Sequence, residues 1–147
     1  KDISLTTRYK RANSKQQEDR GKHHLFISVH ANAARNGEWS NARGWSAYTT
    51  TSNNNSDKLA ECLYDAAEEI LIPMGIKIRK DLQDGDRDYE KNFTVIYGSN
   101  MPAVLTENLF QDNVYDVEFL LSEEGKEAIV ELHRRGILYF AERYLGM

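Results

Sequence analysis

The chain has a single cysteine, Cys62, among 147 residues, which excludes an internal disulfide. Its place in an amphipathic helical pattern makes it a small core residue. No apolar run approaches the roughly 20 residues that a membrane-spanning helix needs, and no basic start followed by an apolar middle marks a signal peptide. A basic field is missing as well, since net charge is −4 with 19 Lys and Arg against 23 Asp and Glu interspersed along the chain. Nothing draws in phosphate backbones, which argues against nucleic acid as a partner, and no block of like charge forms a tail. The sequence opens on Lys1 rather than methionine, inside a helix-forming segment. A removed or omitted upstream segment is therefore expected.

What is present is enough for one domain: 40% hydrophobic residues over this length fit a single core. Residues 4–17 carry Leu5, Arg8, Tyr9 and Ala12 at helical spacing, with Ser4 or Asp2 placed as cap. Gly21 breaks that pattern before an apolar strand, Leu25 to His30, whose two apolar faces predict a central position in a sheet covered on both sides. Residues 44–51, with Trp45, Tyr48 and three threonines, favour a strand. Ser52 to Ser56 then cap a helix in which Leu59, Leu63, Ala66, Ala67 and Ile70 form one stripe before Pro73 and Gly75 stop it. Residues 75–91 are charged and read as a solvated surface loop, and Phe93 to Tyr97 as a short strand. Met101-Pro102 opens the strand Ala103 to Glu107, after which Asn113 and Ser122 cap two helices, the last closing at Gly146. Strands alternating with helices predict an α/β domain with a mainly parallel sheet flanked by helices.

Chemistry is suggested at two strand ends. Ligand crevices in open α/β sheets lie beyond the carboxyl ends of the strands, and His30 and Glu107 are each last in an apolar run. Zinc accepts imidazole nitrogen and carboxylate oxygen, and a catalytic site keeps one position for water whose pKa falls to about 7. The small residues Ala31, Ala33 and Ala34 leave room for a substrate beside His30. His23 and His24 precede His30 by six or seven residues of extended chain, roughly 20 Å, so they cannot share a metal with it. They read as solvated residues at the strand entrance, and His133, beside Arg134 and Arg135, as a surface group.

The order Ser4-Leu5, Arg8, Ala12-Asn13, then Phe26 to Ala33, then Met101 to Leu105 with Glu107 and Phe110, then Asn113, resembles the zinc-dependent N-acetylmuramoyl-L-alanine amidases of the type-3 class, found in cell-wall hydrolases and phage endolysins. The resemblance runs over nearly the whole chain. It implies hydrolysis of the amide between the lactyl group of muramic acid and the first L-alanine of the peptidoglycan stem peptide. It further implies Zn2+ as cofactor, His30 as a zinc ligand, Glu107 as catalytic acid/base and Asn32 near the metal in substrate contact. Leu5, Arg8 and Asn13 match a helix that supports the sheet, with Arg8 a structural ion-pair partner.

Two departures accompany the resemblance. Asn108-Leu109 follows the glutamate where glycine is frequent before the phenylalanine. The family's other zinc ligands, a histidine at a strand end and a glutamate on the next helix, lie upstream of where this sequence opens. The expectation is a single amidase-like catalytic domain, 1–147, lacking its first strands and helix and inactive alone. The alternative is a non-catalytic peptidoglycan-binding or regulatory domain that has lost its metal. In either case peptidoglycan is the implied partner and the periplasm, the cell wall, the extracellular space or a phage lysis programme the implied setting.

Overall fold

A computed structural model describes residues 2–52 and 54–147. Helix α1 covers Leu5–Glu18, and its first turn is closed as the sequence predicts, with Ser4 Oγ accepting from the Thr7 amide. Strand β1 follows at Phe26–Asn32, β2 at Ser46–Thr49, and helix α2 at Asn55–Leu71. The cap of α2 is reciprocal: the Asn54 side chain takes amides of the first turn while Asp57 reaches back to the Asn54 amide. A two-residue strand β3 (Tyr89–Glu90), a helical turn α3 (Thr94–Tyr97), strand β4 (Ala103–Phe110), and helices α4 (Val114–Leu121) and α5 (Glu123–Phe140) complete the order. Asn113 and Ser122 cap α4 and α5 through their side chains. A π-helical turn, Ala141–Leu145, ends at the left-handed Gly146.

Among the described residues the sheet has four strands in the order β1-β4-β2-β3. β1 runs parallel to β4 and β3 parallel to β2, but β2 runs antiparallel to β4, so the predicted parallel sheet contains one antiparallel junction. Strand alternation divides its residues between two faces. On one face Trp45, Ala47 and Val104 pack with Leu59, Leu63 and Ala67 of α2 and with Leu132 and Phe140 of α5, all essentially closed to solvent. Gly136 lets α5 approach α2 this closely, since a Cβ there would lie 2.7 Å from Leu63 Cδ2. Cys62 is buried in the same cluster, as expected. On the other face Ala103 and Leu105 pack with Val95 and Ile96, joined by Phe26, Tyr48 and Phe93.

Four expectations need correction. Among the described residues β1 lies at the sheet edge rather than its centre, because it pairs with β4 alone, and Val29 is 59% exposed. Residues 94–97 form a helical turn instead of a strand: Phe93 is already paired back to Lys91, and Tyr97 donates to the Phe93 carbonyl. His133 is no surface group. Half-buried on α5, it lies 2.9 Å from Thr106 Oγ1 and 2.7 Å from the Ile129 carbonyl, tying the helix to β4. The loop 75–91 is also more than a solvated connection, since Arg87 pairs with Glu61, Asp65 and Glu68 of α2.

Candidate active site

Parallel pairing sets His30 directly opposite Glu107, and the antiparallel pairing of β2 sets Ser46 opposite Glu107 from the other side. An imidazole, a carboxylate and a hydroxyl therefore stand in one row on the face away from α2 and α5. A cleft of about 280 Å³ opens at His30 and Glu107, walled by Leu5, Phe93, Val95 and Leu105 with Asn92 at its side. The two residues singled out from the sequence are thus adjacent across one strand boundary.

Each has the protonation state its surroundings dictate. Burial lowers the His30 pKa, and the nearby positive charge of Arg8 lowers it further, which keeps the imidazole neutral near pH 7 and its lone pair available. Its Nε2 lies 2.8 Å from Ser28 Oγ. Burial alone pushes the Glu107 carboxyl up to about 7. Its Oε2 is enclosed with no hydrogen-bond partner among the described residues, as is Ser46 Oγ. Buried polar atoms are normally satisfied, so two free oxygens on paired residues single out this row as the candidate site.

The backbone around the row is held from several directions. Arg8 pairs with Asp2 at 2.8 Å, the structural role expected of it. Asn13 ties α1 to the turn after α3, donating to the Gly98 carbonyl and accepting from the Asn100 amide, both at 2.8 Å. Beyond the strand ends, Asp112 accepts from the Ala34 and Arg35 amides, and Asp116 from those of Gly44 and Phe110. Asn113 Nδ2 donates to the Ser40 carbonyl at 3.0 Å. Asn32 sits at the end of β1, its Oδ1 accepting from the Ala33 amide at 2.9 Å.

Just past Glu107 the strand departs from regular geometry. Leu109 has φ +67°, in the region that favours glycine, and the β1–β4 register shifts there. The departure at this position, leucine where glycine is frequent, thus keeps the backbone that glycine prefers. The kink turns Leu109 into the closed core, where it is fully buried.

His30 fits a zinc site as one neutral nitrogen ligand. Among the described residues no three His, Cys, Asp or Glu side chains come together in a way that could hold a metal. A catalytic zinc takes three protein ligands, so the described residues supply a partial set. Sequence reasoning passed over Ser46 and Arg79. Alternation puts Ser46 on the Tyr48 face of β2, but only the pairing of β2 with β4 brings it to Glu107.

Comparison with known proteins gives consistent results. The profile of the family described as N-acetylmuramoyl-L-alanine amidase (Amidase_3) matches residues 1–139. An endolysin of Bacillus phage SPP1 is 32% identical over 116 residues, 77% of this chain and 38% of the endolysin. This chain therefore spans well under half the length of that relative. Among solved structures, an N-acetylmuramoyl-L-alanine amidase of Clostridium difficile 630 superposes with a TM-score of 0.79 at 24% identity, covering 97% of this chain and 67% of the other. The catalytic domain of CwlV, an amidase of Bacillus (Paenibacillus) polymyxa var. colistinus, gives 0.73 at 23% identity, with 97% and 68% covered. These structural likenesses establish the shared fold.

Proposed function

Because the chain belongs to the N-acetylmuramoyl-L-alanine amidase family, we propose that it serves as the larger part of a zinc-dependent catalytic domain that cleaves the amide between N-acetylmuramic acid and the L-alanine of the stem peptide. The observation that carries this reading is the register of β1 and β4, which sets a neutral imidazole opposite a carboxyl with a buried, unclaimed oxygen. His30 would contribute one zinc ligand, the others coming from outside residues 1–147. Zinc supplies Lewis acidity that makes water a competent nucleophile near neutral pH. Glu107, with a pKa of about 7, takes a proton from the attacking water and returns one to the departing alanine nitrogen, and neither transfer is strongly uphill at neutral pH. Leu5 and Phe93 give the cleft apolar walls, which strengthen these interactions by limiting water. Asn32, at the end of β1, would contribute a substrate contact.

The partial ligand set favours a second reading, a wall-binding domain without metal chemistry. The condition of Glu107 weighs against it: a buried carboxyl without a partner costs stability, and a pure binding domain has no use for one. Peptidoglycan is the substrate in the first reading and the partner in the second, which points to the cell wall, periplasm, extracellular space or phage lysis as the place of action. Among the described residues no helix is long and apolar enough to cross a membrane.

The test is product analysis. Peptidoglycan treated with the full-length protein and zinc should gain free L-alanine amino termini, and Glu107→Gln should abolish them. New reducing sugar ends, or cleavage within the peptide, would contradict the reading.

A further inference from the structure

The row of polar side chains does not stop at Ser46. The Trp45 amide donates to the Lys77 carbonyl and the Arg79 amide donates to the Trp45 carbonyl, both at 2.8 Å, with Trp45 opposite Ile78 in parallel pairing. That bonding sets Arg79 beside Ser46 on the same face. Gly44 makes the approach possible: its φ is +112°, and a Cβ there would lie 2.6 Å from the Lys77 carbonyl oxygen and 3.2 Å from Arg79 Cγ. The row across the sheet thus reads His30, Glu107, Ser46, Arg79.

Arg79 differs from the other half-buried arginines. Arg8, Arg43, Arg87 and Arg135 each reach a carboxylate, at 2.8, 3.6, 2.8 and 3.1 Å respectively. Among the described residues Arg79 has no ion pair and no side-chain hydrogen bond. Its guanidinium instead lies over two rings, 5.0 Å from the centroid of Phe110 and 5.9 Å from that of Tyr89. Cation–π contacts of this kind hold the guanidinium while using none of its five N–H donors. A half-buried cation with unused donors is suited to a planar anion.

We infer that Arg79 anchors a carboxylate carried by the stem peptide, so that the site selects substrates with a free acid just beyond the scissile amide. The spacing agrees. With strands about 4.8 Å apart, the Arg79 backbone is roughly 10 Å from that of Glu107. An extended peptide advances about 3.4 Å per residue, so an acidic side chain one residue past the alanine spans the gap. The inference rests on the amidase reading for the identity of the substrate, and it makes Arg79 a specificity-determining residue with no part in proton transfer.

The experiment compares N-acetylmuramoyl-L-alanyl-D-glutamate with the same compound amidated at both glutamyl carboxyls. Affinities are measured by calorimetry on the full-length protein carrying Glu107→Gln, so that the ligand survives. The acid should bind at least tenfold more tightly than the diamide. Adding Arg79→Met should remove that preference while leaving diamide affinity unchanged, and Arg79→Lys should restore part of it. With Glu107 intact, Arg79→Met should raise KM for the acid and leave kcat within about twofold. Equal affinity for acid and diamide, or a preference that survives Arg79→Met, would overturn the inference even if the amide is cleaved. Conversely, an Arg79-dependent preference with no amide cleavage would retain the carboxylate anchor and remove the amidase reading.

Discussion

The two faces of the sheet differ in how completely they are satisfied. The face toward α2 and α5 is a closed apolar core in which even the polar atoms of Trp45 and Tyr64 are used, Trp45 Nε1 donating to Asn108 Oδ1 and the Tyr64 hydroxyl to the Arg79 carbonyl. Among the described residues, the face bearing His30 and Glu107 leaves two buried oxygens and a guanidinium without partners. Both faces come from the same strands, one residue apart. Period-two alternation therefore lets one face carry stability while the other leaves polar groups unbonded.

The sharpest way to test that division is to remove the unbonded groups. Glu107→Ala should lower amidase turnover about 10³-fold, the scale of a lost general acid/base, with the melting temperature unchanged or higher. On the closed face the effects should reverse. Leu63→Ala should cost about 3 kcal/mol through the cavity it leaves, read as a fall of roughly 8 °C in Tm, with little change in kcat of the protein that stays folded.

Asp88 is an exception on the closed face. It is 1% exposed, and its Oδ2 takes the Thr49 hydroxyl at 2.6 Å. Burial, with Asp86 and Asp57 nearby, raises its pKa from 3.8 to about 7. The folded state thus holds this proton to higher pH than the unfolded chain. Its contribution is full below about pH 4 and is lost as pH rises to about 7. Asp88→Asn should flatten Tm against pH in that window and raise stability at pH 8 by about 2 kcal/mol. An unchanged pH profile would show that the carboxyl is better solvated than its burial implies.

The smallest predicted effect lies where the faces meet. Leu109 pays about 1 kcal/mol for its left-handed backbone but fills the core. Leu109→Ala should lose about 3 kcal/mol of packing and keep the strain, while Leu109→Gly loses the packing and relieves it. Glycine should therefore be the more stable variant by about 1 kcal/mol, the reverse of its usual rank. Urea denaturation of both variants measures the difference.

Much of this arrangement is legible in the sequence because its signals are local. Ser4, Asn113 and Ser122 announce the helix starts, the stripe from Leu59 to Ile70 defines α2, and His30 and Glu107 stand out as polar ends of apolar runs. Non-local facts are not legible. The edge position of β1 depends on which strands pair, and the helical turn at Thr94–Tyr97 depends on Phe93 packing against Leu105 and Tyr48. His133 looked exposed because its partner, Thr106, is 27 residues away in sequence. Arg79 carries no local mark at all, since its importance lies in the absence of a carboxylate that nearby acidic residues such as Asp81 could have supplied.

The most direct measurement is zinc affinity of the 147-residue chain, by competition with a chelator, for the wild type and His30→Ala. The account predicts weak binding, since one histidine is a partial ligand set, and a further loss of at least tenfold in the variant. Tight, stoichiometric zinc that is indifferent to His30→Ala would contradict the assignment of the open face as the metal centre.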